Sequence, residues 1–470
     1  MLQHGSQAPQ QGAHIPLDEL YTVFNGRVIT PDHPEYDQAR TVFYGGFDRR
    51  PGAIVQPRTA AEVARVVKLA RDTGVPLAVR GGGHSMVGHS VIDRGIVLDL
   101  KLMRGLEIDP ENRIAWAEGG LTAGEYTAAA AEHGLATGFG DTGSVGIGGI
   151  TLGGGIGYLV RKYGLTIDNL LAAEVVTADG QILQVDEQNH PDLFWAIRGG
   201  GGNFGVVTRF KFRLHEVDNV VGGMLILPAT PDTIAGFVAA ADAAPDELST
   251  IANVMVAPPM PFVPEVARGK LVIFALMVYA GPVEEGERVF APFRALAEPI
   301  VDMLQPIRYK DMFQEEEGEG EYHPTAAGQT LFMDHIGREE AERILDRLVN
   351  SNAPMRVVQI RVLGGAMARV PVEATAFAHR QAPIMVNVAA FYAGEEDRAE
   401  KEAWVAEFAA ELRQRTIGAY VNFVGDEGED RVREAYPGAT LERLAAIKAR
   451  YDPTNLFRHN HNIVPAQEMA

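Results

Sequence analysis

The sequence predicts an α+β fold, and three observations support this. Between about Arg49 and Val217 the chain is rich in glycine, and short β-branched runs alternate with short helical segments. From about Asp218 to Thr416, helical patterns are interleaved with strand-like runs, which is typical of an antiparallel sheet covered by helices. The tail carries one helical pattern and a polar run. These shifts divide the chain into an N-terminal arm with the start of the first domain (1–48), the rest of that domain (49–217), a second domain (218–416) and a C-terminal part (417–470).

Capping and turn residues define the elements of the first half. Thr59 and Glu62 form a capping-box pattern at the start of a helix that Gly74 ends. A second capping box begins at Thr122, and its helix ends near Gly134. Turn residues at 109–112 and at 178–180, each between short apolar runs, indicate two hairpins. Strands are expected at 76–79, 96–100, 106–108, 114–117, 173–177, 181–185 and 206–214.

The second half and the tail have longer periodic segments. Helical periodicity predicts helices at 338–350, 398–415 and 441–450. Strand-like runs occupy 271–279, 357–362 and 384–391. An acidic, glycine-bearing loop is expected from Glu315 to Glu321.

The composition excludes several classes of protein. The 470 residues include 62 acidic and 42 basic side chains, which gives a formal net charge of −20. A field of that sign repels phosphate backbones and anionic bilayers, so neither nucleic acid nor a membrane is an expected partner. The chain has no cysteine. Disulfides, zinc–thiolate sites, iron–sulfur clusters and cysteine nucleophiles are therefore excluded.

The N-terminus shows no targeting pattern. Met1 to Pro16 has neither a basic region nor an apolar run and is expected to form a loose arm. Thr142 to Val160 is free of charge, but eight of its 19 residues are glycine. Glycine at that density is typical of tight turns in a buried site rather than of a membrane helix. We expect a soluble, cytoplasmic protein.

Two glycine motifs superficially match a dinucleotide fingerprint. Gly138–Gly143 and Gly200–Gly205 both have the spacing G-x-G-x-x-G, but neither lies between a strand and a helix as the fingerprint requires. The sequence has no P-loop, no G-x-S-x-G and no H-E-x-x-H. The sequence therefore lacks the usual signatures of kinases, ATPases, serine hydrolases and zincins.

Four glycine-rich loops, at 81–83, 138–149, 153–157 and 199–205, crowd the first half of the chain. Backbone amides exposed by glycine turns form anion-binding nests. Several such loops together favour a large, diphosphate-bearing ligand buried along them. The alternative is that glycine merely permits tight crossings of strands.

His84 ends the first of these loops, between Gly83 and Ser85. A lone loop histidine is commonly a polar contact, but an imidazole in a glycine loop can also act as a nucleophile. His89 lies five positions later and could share a metal ion with His84. No third ligand is near in the sequence, so no metal site is predicted.

Several motifs in a fixed order resemble one family. The motifs are Arg80-Gly-Gly-Gly-His84-Ser85, Val145–Gly149, Gly153–Gly157, Arg161–Leu165 with Asp168-Asn169, Asp192–Gly200, Asn203–Val207, Tyr420–Phe423 and Tyr451–Phe457. Together they resemble the berberine bridge enzyme-like branch of the vanillyl-alcohol oxidase/p-cresol methylhydroxylase flavoproteins. Within that branch, the chain is most similar to bacterial members of the 6-hydroxy-D-nicotine oxidase kind.

The resemblance implies both a fold and a cofactor. It implies a bipartite FAD-binding domain of the p-cresol methylhydroxylase type, built from the N-terminal half and the C-terminal return, with a substrate domain between them. It implies that His84 bonds covalently to the 8α-methyl group of the flavin. Many relatives carry a second link from a cysteine, and Thr142 stands at that position, so a single link is expected.

The resemblance also implies a set of FAD contacts. Val145 stands where oxidases of the family keep a valine beside the oxygen-reactive carbon of the flavin, which favours an oxidase; otherwise it is a small apolar packing residue. The expected contacts are Arg80, Gly81, Gly82, Gly83, His84, Ser85, Gly88, His89, Gly140, Thr142, Gly143, Val145, Gly146, Gly149, Gly154, Gly157, Val207, Asn460 and Asn462.

The catalytic side chains are harder to assign. Tyr420 and Asn422 belong to the family-like Tyr-x-Asn-Phe run, and both are candidates. Asn387 is a third, on a strand whose alternation puts Met385, Asn387 and Ala389 on one face. The sequence leaves open which face points inward. Tyr322 and His323, beside the acidic loop, are further candidates.

The expected function is an FAD-dependent oxidase. It would transfer hydride from a CH–OH or CH–NH carbon of a small organic substrate to the flavin, and dioxygen would be reduced to hydrogen peroxide. One alternative is a sugar or secondary-metabolite alcohol dehydrogenase that uses another electron acceptor. Another is a flavin-binding protein without turnover. The sequence specifies neither the substrate nor the oligomeric state.

Overall fold

The computed structural model describes residues 15–22, 24–313, 323–425 and 427–467. Most of the predicted arm, Met1 to Pro16, lies outside the described residues. The predicted acidic loop, Glu315 to Glu321, and the candidate Tyr322 also lie outside them. In the part of the chain that is described, no helix has the length and apolar character needed to cross a membrane.

A four-stranded sheet opens the fold, with strand order β1-β2-β4-β3. β2 and β3 both pair with β4 in parallel. The Thr59 hydroxyl accepts a hydrogen bond from the Glu62 amide at the start of α3, and Gly74 ends that helix with φ +69°. The predicted N-cap is confirmed, but the box is not reciprocal, because the Glu62 carboxylate accepts from the Arg58 and Asn25 amides instead of the Thr59 amide. The elements are α1 (Leu17–Thr22), β1 (Arg27–Ile29), α2 (Tyr36–Arg40), β2 (Ala53–Gln56), α3 (Ala60–Thr73), β3 (Leu77–Arg80) and β4 (Ile96–Asp99).

A five-stranded antiparallel sheet follows, in the order β5-β6-β10-β8-β9. Both predicted hairpins, β5–β6 and β8–β9, are formed. Thr122 and Glu125 make the predicted capping box at the start of α4. The elements are β5 (Leu106–Asp109), β6 (Ile114–Glu118), α4 (Ala123–Ala131), β7 (Leu135–Ala136), α5 (Ile147–Gly153), α6 (Val160–Tyr163), β8 (Leu170–Val176), β9 (Ile182–Val185), α7 (Pro191–Ile197), β10 (Val206–Arg213) and β11 (His215–Glu216).

The middle of the chain forms an eight-stranded antiparallel sheet, ordered β15-β12-β14-β13-β18-β19-β17, with β16 also paired to β12. The α+β class and the helix-covered antiparallel sheet are confirmed. The elements are β12 (Asn219–Pro228), α8 (Pro231–Ala243), β13 (Leu248–Val256), β14 (Leu271–Tyr279), α9 (Gly286–Arg294), β15 (Val301–Asp302), β16 (Gln305–Arg308), β17 (Thr325–Met333), α10 (Arg338–Val349), β18 (Met355–Val362), α11 (Ala366–Arg369), β19 (Ile384–Tyr392) and α12 (Glu395–Leu412).

One face of this sheet is covered by helices. Val386 and Val388 of β19 share a core with Phe237 of α8, Ile344 of α10 and Phe408 of α12. Because side chains alternate along a strand, the odd-numbered residues of β19 face the other way. This resolves the question that the sequence left open for Asn387. The helix predicted at 398–415 begins at Glu395 instead, since the acidic residues there favour a helix N-terminus.

The C-terminal helices α13 (Glu429–Ala435) and α14 (Ala439–Tyr451) pack back on the first half of the chain. Their apolar residues join the core around Phe210. The Lys448 ammonium, fully buried, pairs with Asp452 and donates to the carbonyls of Asn203 and Phe457. These contacts attach the tail beside the fourth glycine loop. The four residue ranges expected for the domains remain a prediction.

Candidate functional site

A cavity of about 650 Å³ lies between the glycine loops of the first half and the uncovered face of the eight-stranded sheet. Its first wall comes from the loops around 81–85, 140–150 and 201–207. Its second wall comes from β13, β18 and β19, and the tail contributes 420–424 and 459–461. Residues far apart in the chain therefore converge on one space, as expected of a binding site for a ligand the size of a cofactor.

The first wall depends on close approach of backbone to backbone. A Cβ atom on Gly82 would lie 2.2 Å from the Gly146 nitrogen, and a Cβ on Gly146 would lie 2.3 Å from the Gly82 nitrogen. No side chain fits at either position. Gly83 has φ +74°, a conformation that L-residues rarely adopt. At these glycines the wall therefore presents peptide groups to the cavity.

His84 lies on this wall in a defined orientation. Its imidazole stacks on the Phe43 ring with centroids 4.2 Å apart and planes 17° apart. The Ser144 carbonyl accepts a hydrogen bond from the imidazole, while burial lowers the pKa of His84 to about 4. The ring is thus neutral at pH 7. A neutral imidazole that donates through one nitrogen keeps a lone pair on the other.

Three further histidines gather where the tail meets the first wall. His89 and His461 pack edge to face, with centroids 4.7 Å apart. Burial, His461, Arg49 and His459 lower the pKa of His89 to about 3. Burial lowers the pKa of His459 as well. Within the described residues, no group of three or more potential ligands is arranged to hold a metal ion.

Several buried polar atoms around the cavity lack a partner within the described chain. They are Ser144 Oγ, Ser90 Oγ, His459 Nε2, Asn460 Oδ1 and Asn387 Oδ1. Buried polar atoms are normally hydrogen-bonded. Unpartnered ones at a cavity therefore indicate that a polar ligand supplies their hydrogen-bond partners. The first four of these atoms belong to the first wall and the tail, and together with the backbone cradle they fit FAD, which presents phosphates, a ribityl chain and flavin edges; Asn387 lies on the second wall.

Most of the predicted FAD contacts lie at the cavity. The residues that line it are Gly81, Gly82, Gly83, His84, Ser85, His89, Gly140, Thr142, Val145, Gly146, Gly149, Val207 and Asn460. Six others do not line it. They are Arg80, Gly88, Gly143, Gly154, Gly157 and Asn462.

The contacts of these six residues explain their positions. Arg80 is buried in an ion pair with Asp99 at 2.8 Å. Gly143 and Gly157 stand where a Cβ would collide with the carbonyls of Phe313 and Phe139, respectively. Gly88 and Gly154 adopt positive φ angles. Asn462 keeps a buried Oδ1 without a partner in the described chain, but it lies off the cavity.

Tyr420 and Asn422 meet the first wall from the tail. The Tyr420 hydroxyl oxygen accepts hydrogen bonds from the Gly155 amide at 3.0 Å and from Asn422 Nδ2 at 2.9 Å. Asn422 Nδ2 also donates to the Ile150 carbonyl. Burial raises the pKa of Tyr420, while these donors and Arg361 act in the opposite direction. The phenol is therefore protonated at neutral pH and can donate its own proton into the cavity.

The second wall contains functional residues that the sequence reasoning missed. Asn253 and Gln359 line the cavity beside Asn387, and Phe43 orients His84. Gln359 and Arg361 alternate with apolar residues on β18, and this alternation was the one available signal. His323 is described and exposed, and its Nδ1 lies 3.2 Å from the Phe43 carbonyl. It does not line the cavity.

An ion pair joins the two walls. Arg361 donates to Asp141 Oδ2 at 2.7 Å and to the Ile156 carbonyl at 2.8 Å. Its guanidinium lies 5.5 Å from the centre of the Phe423 ring. The pair links the eight-stranded sheet to the second and third glycine loops and balances the charge of Asp141.

The architecture and the cavity define a flavin-binding protein of the oxidoreductase class. Residues 51–186 match the family model described as an FAD binding domain, and residues 419–464 match the model "Berberine and berberine like". The FAD-linked oxidoreductase YgaK of Bacillus subtilis, itself described as uncharacterized, is 31% identical and covers 94% of this chain and 98% of its own. The chain belongs to the berberine bridge enzyme-like family of FAD-linked oxidoreductases.

Two further similarities concern proteins of named activity. The (R)-6-hydroxynicotine oxidase of Paenarthrobacter nicotinovorans is 32% identical over 456 residues, covering 94% of this chain and 97% of that protein. A crystal structure of 6-hydroxy-D-nicotine oxidase from Arthrobacter nicotinovorans superimposes with a TM-score of 0.83 at 28% identity, covering 94% of this chain and 98% of that one. Both similarities extend over nearly the whole chain.

Proposed function

We propose that this protein is an oxidase with FAD held through a single covalent bond from His84. Its substrate is a small organic molecule that loses hydride from a CH–OH or CH–NH carbon, and dioxygen receives the electrons to give hydrogen peroxide. The observation that carries the proposal is the setting of His84. Its imidazole is neutral, stacked and hydrogen-bonded on the cavity wall, with one nitrogen left to form a bond.

The residues of the first wall would hold the cofactor. The backbone of the loop at 81–85 and the close pair Gly82 and Gly146 offer a cradle for phosphates and sugar. Asn460 and His459 bring unpartnered polar atoms to the same space. When bound, FAD would accept hydride from the substrate and pass the electrons on to an acceptor.

His84 would bond to the 8α carbon of the flavin. The Ser144 carbonyl fixes which nitrogen carries the proton, and the Phe43 ring fixes the plane of the imidazole. Thr142 lines the cavity and offers no thiol, so the expected single link is retained in the proposal. A preoriented neutral nucleophile needs neither deprotonation nor rotation before it reacts.

Tyr420 and Asn422 receive different roles. The Tyr420 hydroxyl uses its lone pairs on Gly155 and Asn422, so its proton remains to bond a heteroatom of the substrate. Asn422 donates through Nδ2 to the Tyr420 hydroxyl oxygen and to the Ile150 carbonyl, and it acts as a positioning residue. Asn387 carries an amide, which is too weak a base to take a proton, and it serves in binding.

Dioxygen is proposed as the electron acceptor. Val145 lines the cavity from the second glycine loop, and its small side chain would leave room for dioxygen beside the flavin. The relatives named as oxidases of 6-hydroxynicotine favour oxidase chemistry for this chain too. The acceptor and the bond oxidised are both open to direct measurement.

The test is anaerobic mixing of the purified protein with panels of small amines, alcohols and sugars. The visible absorption of the flavin should bleach with a substrate and return on admission of air, with one hydrogen peroxide formed for each substrate oxidised. Return of colour with a quinone dye but not with air would instead establish a dehydrogenase. Flavin that no member of these panels bleaches would favour the flavin-binding protein without turnover.

A further inference from the structure

The cavity-facing side of the eight-stranded sheet carries its side chains in rows, because the strands are paired in register. Asn253 on β13 lies opposite Gln359 on β18, which lies opposite Asn387 on β19. An apolar row lies two residues along on each strand. It consists of Met255, Val357 and Ala389. Residues two apart share a face, so an amide row and an apolar row lie side by side.

The first two amides of the row have fixed orientations. Arg361 Nε lies 3.0 Å from Gln359 Oε1, and a guanidinium can only donate. Gln359 therefore turns its Nε2 toward Asn253, whose Oδ1 accepts at 3.1 Å. Asn253 Nδ2 in turn donates to the Phe274 carbonyl. The oxygen atoms of both amides are thus used within the protein.

Asn387 ends the row and differs from the other two. Its Oδ1 is buried and has no hydrogen-bond partner within the described part of the chain. Its neighbour across on β17, Thr330, donates instead to the Val386 carbonyl. A buried acceptor without a donor is costly unless a ligand supplies one. The atom lies on a residue that lines the cavity.

The charge of the cavity is balanced before any substrate enters. Asp141 is the one carboxylate among its described lining residues, and it is paired with Arg361 at 2.7 Å. A cationic or anionic substrate group would enter without a counter-ion of its own. Burial of an unpaired charge is strongly unfavourable, so the cavity disfavours a charged substrate.

We propose that the substrate is a neutral molecule with an apolar body, and that Asn387 Oδ1 accepts a hydrogen bond from its polar end. The apolar body lies on the row of Met255, Val357 and Ala389. Asn387 is then a specificity-determining residue. The inference rests on the proposed function, because it takes this cavity to be the place where substrate binds.

The test is calorimetric titration of the purified holoenzyme with four probes of one skeleton. They are benzamide, N,N-dimethylbenzamide, benzyltrimethylammonium and benzoate. Benzamide alone is neutral and carries an N–H donor, and it should bind about tenfold more tightly than each of the others, as expected for one buried hydrogen bond. Asn387→Leu should weaken benzamide by about tenfold and leave N,N-dimethylbenzamide unchanged.

Two variants complete the design. Asn387→Asp installs a carboxylate and should make benzyltrimethylammonium the preferred probe. Asn219→Leu makes the same change as Asn387→Leu at an exposed residue of β12 and should alter no affinity. Equal binding of benzamide and N,N-dimethylbenzamide by the wild type, or unchanged benzamide binding in Asn387→Leu, would overturn the inference.

Binding and turnover fail separately in this design. The calorimetric preference does not require the flavin to react, whereas the proposed function is judged by bleaching and peroxide. Discrimination by Asn387 without bleaching by any substrate would support the inference and contradict the oxidase. Bleaching with peroxide formation but no discrimination by Asn387 would do the reverse.

Discussion

The two walls of the cavity are built on different principles. The wall from the first half of the chain is built on glycine loops, and its surface combines their peptide groups with side chains such as His84, Thr142 and Val145. The wall from the eight-stranded sheet consists of alternating side chains on strands in register. The first has little freedom at its close contacts, because a Cβ added at Gly82 or Gly146 meets backbone, whereas the second can exchange side chains without moving its strands. In our proposal the first wall holds the cofactor and the second selects the substrate, so the fold separates the two tasks.

The largest effect should come from adding one carbon to the first wall. Gly82→Ala places a Cβ 2.2 Å from the Gly146 nitrogen, and neither backbone can yield without moving its loop. We expect loss of nearly all FAD-containing soluble protein, measured as the flavin-to-protein absorbance ratio after purification. Gly337→Ala is the control, since its Cβ would lie 3.4 Å from the nearest atom and Gly337 does not line the cavity. Normal flavin content in Gly82→Ala would contradict the rigid-wall account.

Removal of the Tyr420 hydroxyl tests the junction between the walls. Tyr420→Phe keeps the ring and deletes a buried group that we propose to bond the substrate, so kcat/KM should fall about 10- to 100-fold. Flavin content should be unchanged, because the wall residues that we propose to hold the cofactor are intact. Steady-state peroxide production measures the first quantity and absorbance the second. Unchanged kcat/KM would remove Tyr420 from the site.

The Phe43 ring tests how far the first wall depends on side chains. Phe43→Leu removes the stack on His84, and covalent attachment of added FAD to the apoprotein should slow by about twofold to tenfold, the usual worth of an aromatic pair. Phe43→Tyr should restore the wild-type rate, since the ring is retained. The covalent fraction is followed by acid precipitation over time. An unchanged rate in Phe43→Leu would show that the Ser144 carbonyl alone orients the imidazole.

The smallest predicted effect is a dependence of the protein's stability on pH that comes from the first wall. Burial lowers the pKa of His89 to about 3, so this side chain stays neutral when folded but gains a proton below about pH 6.5 when unfolded. Its stabilising contribution is therefore complete above that pH and is lost progressively as the pH falls toward 3. The melting temperature should decline over this range, and His89→Gln should reduce the decline by a few degrees. An equal decline of the melting temperature in His89→Gln would contradict the contribution that we assign to His89.

The same contrast explains what could be predicted from the sequence. The capped helices, the hairpins and the glycine loops were predictable because local residues determine them, as Thr59, Gly74 and Gly82 show. The amide row was not, because the facing of Asn387 depends on which side of β19 the helices cover. Phe43 was also missed, since its stacking on His84 joins positions with no local pattern. Long-range packing decides both cases.

The most direct test of the central claim is acid precipitation of the purified protein and of two variants. His84→Ala removes the proposed link, and His133→Ala changes an exposed histidine as the control. We expect a yellow pellet for the wild type and the control, and a colourless pellet under a yellow supernatant for His84→Ala. A colourless wild-type pellet, or a yellow pellet from His84→Ala, would contradict a covalent bond from His84 to FAD.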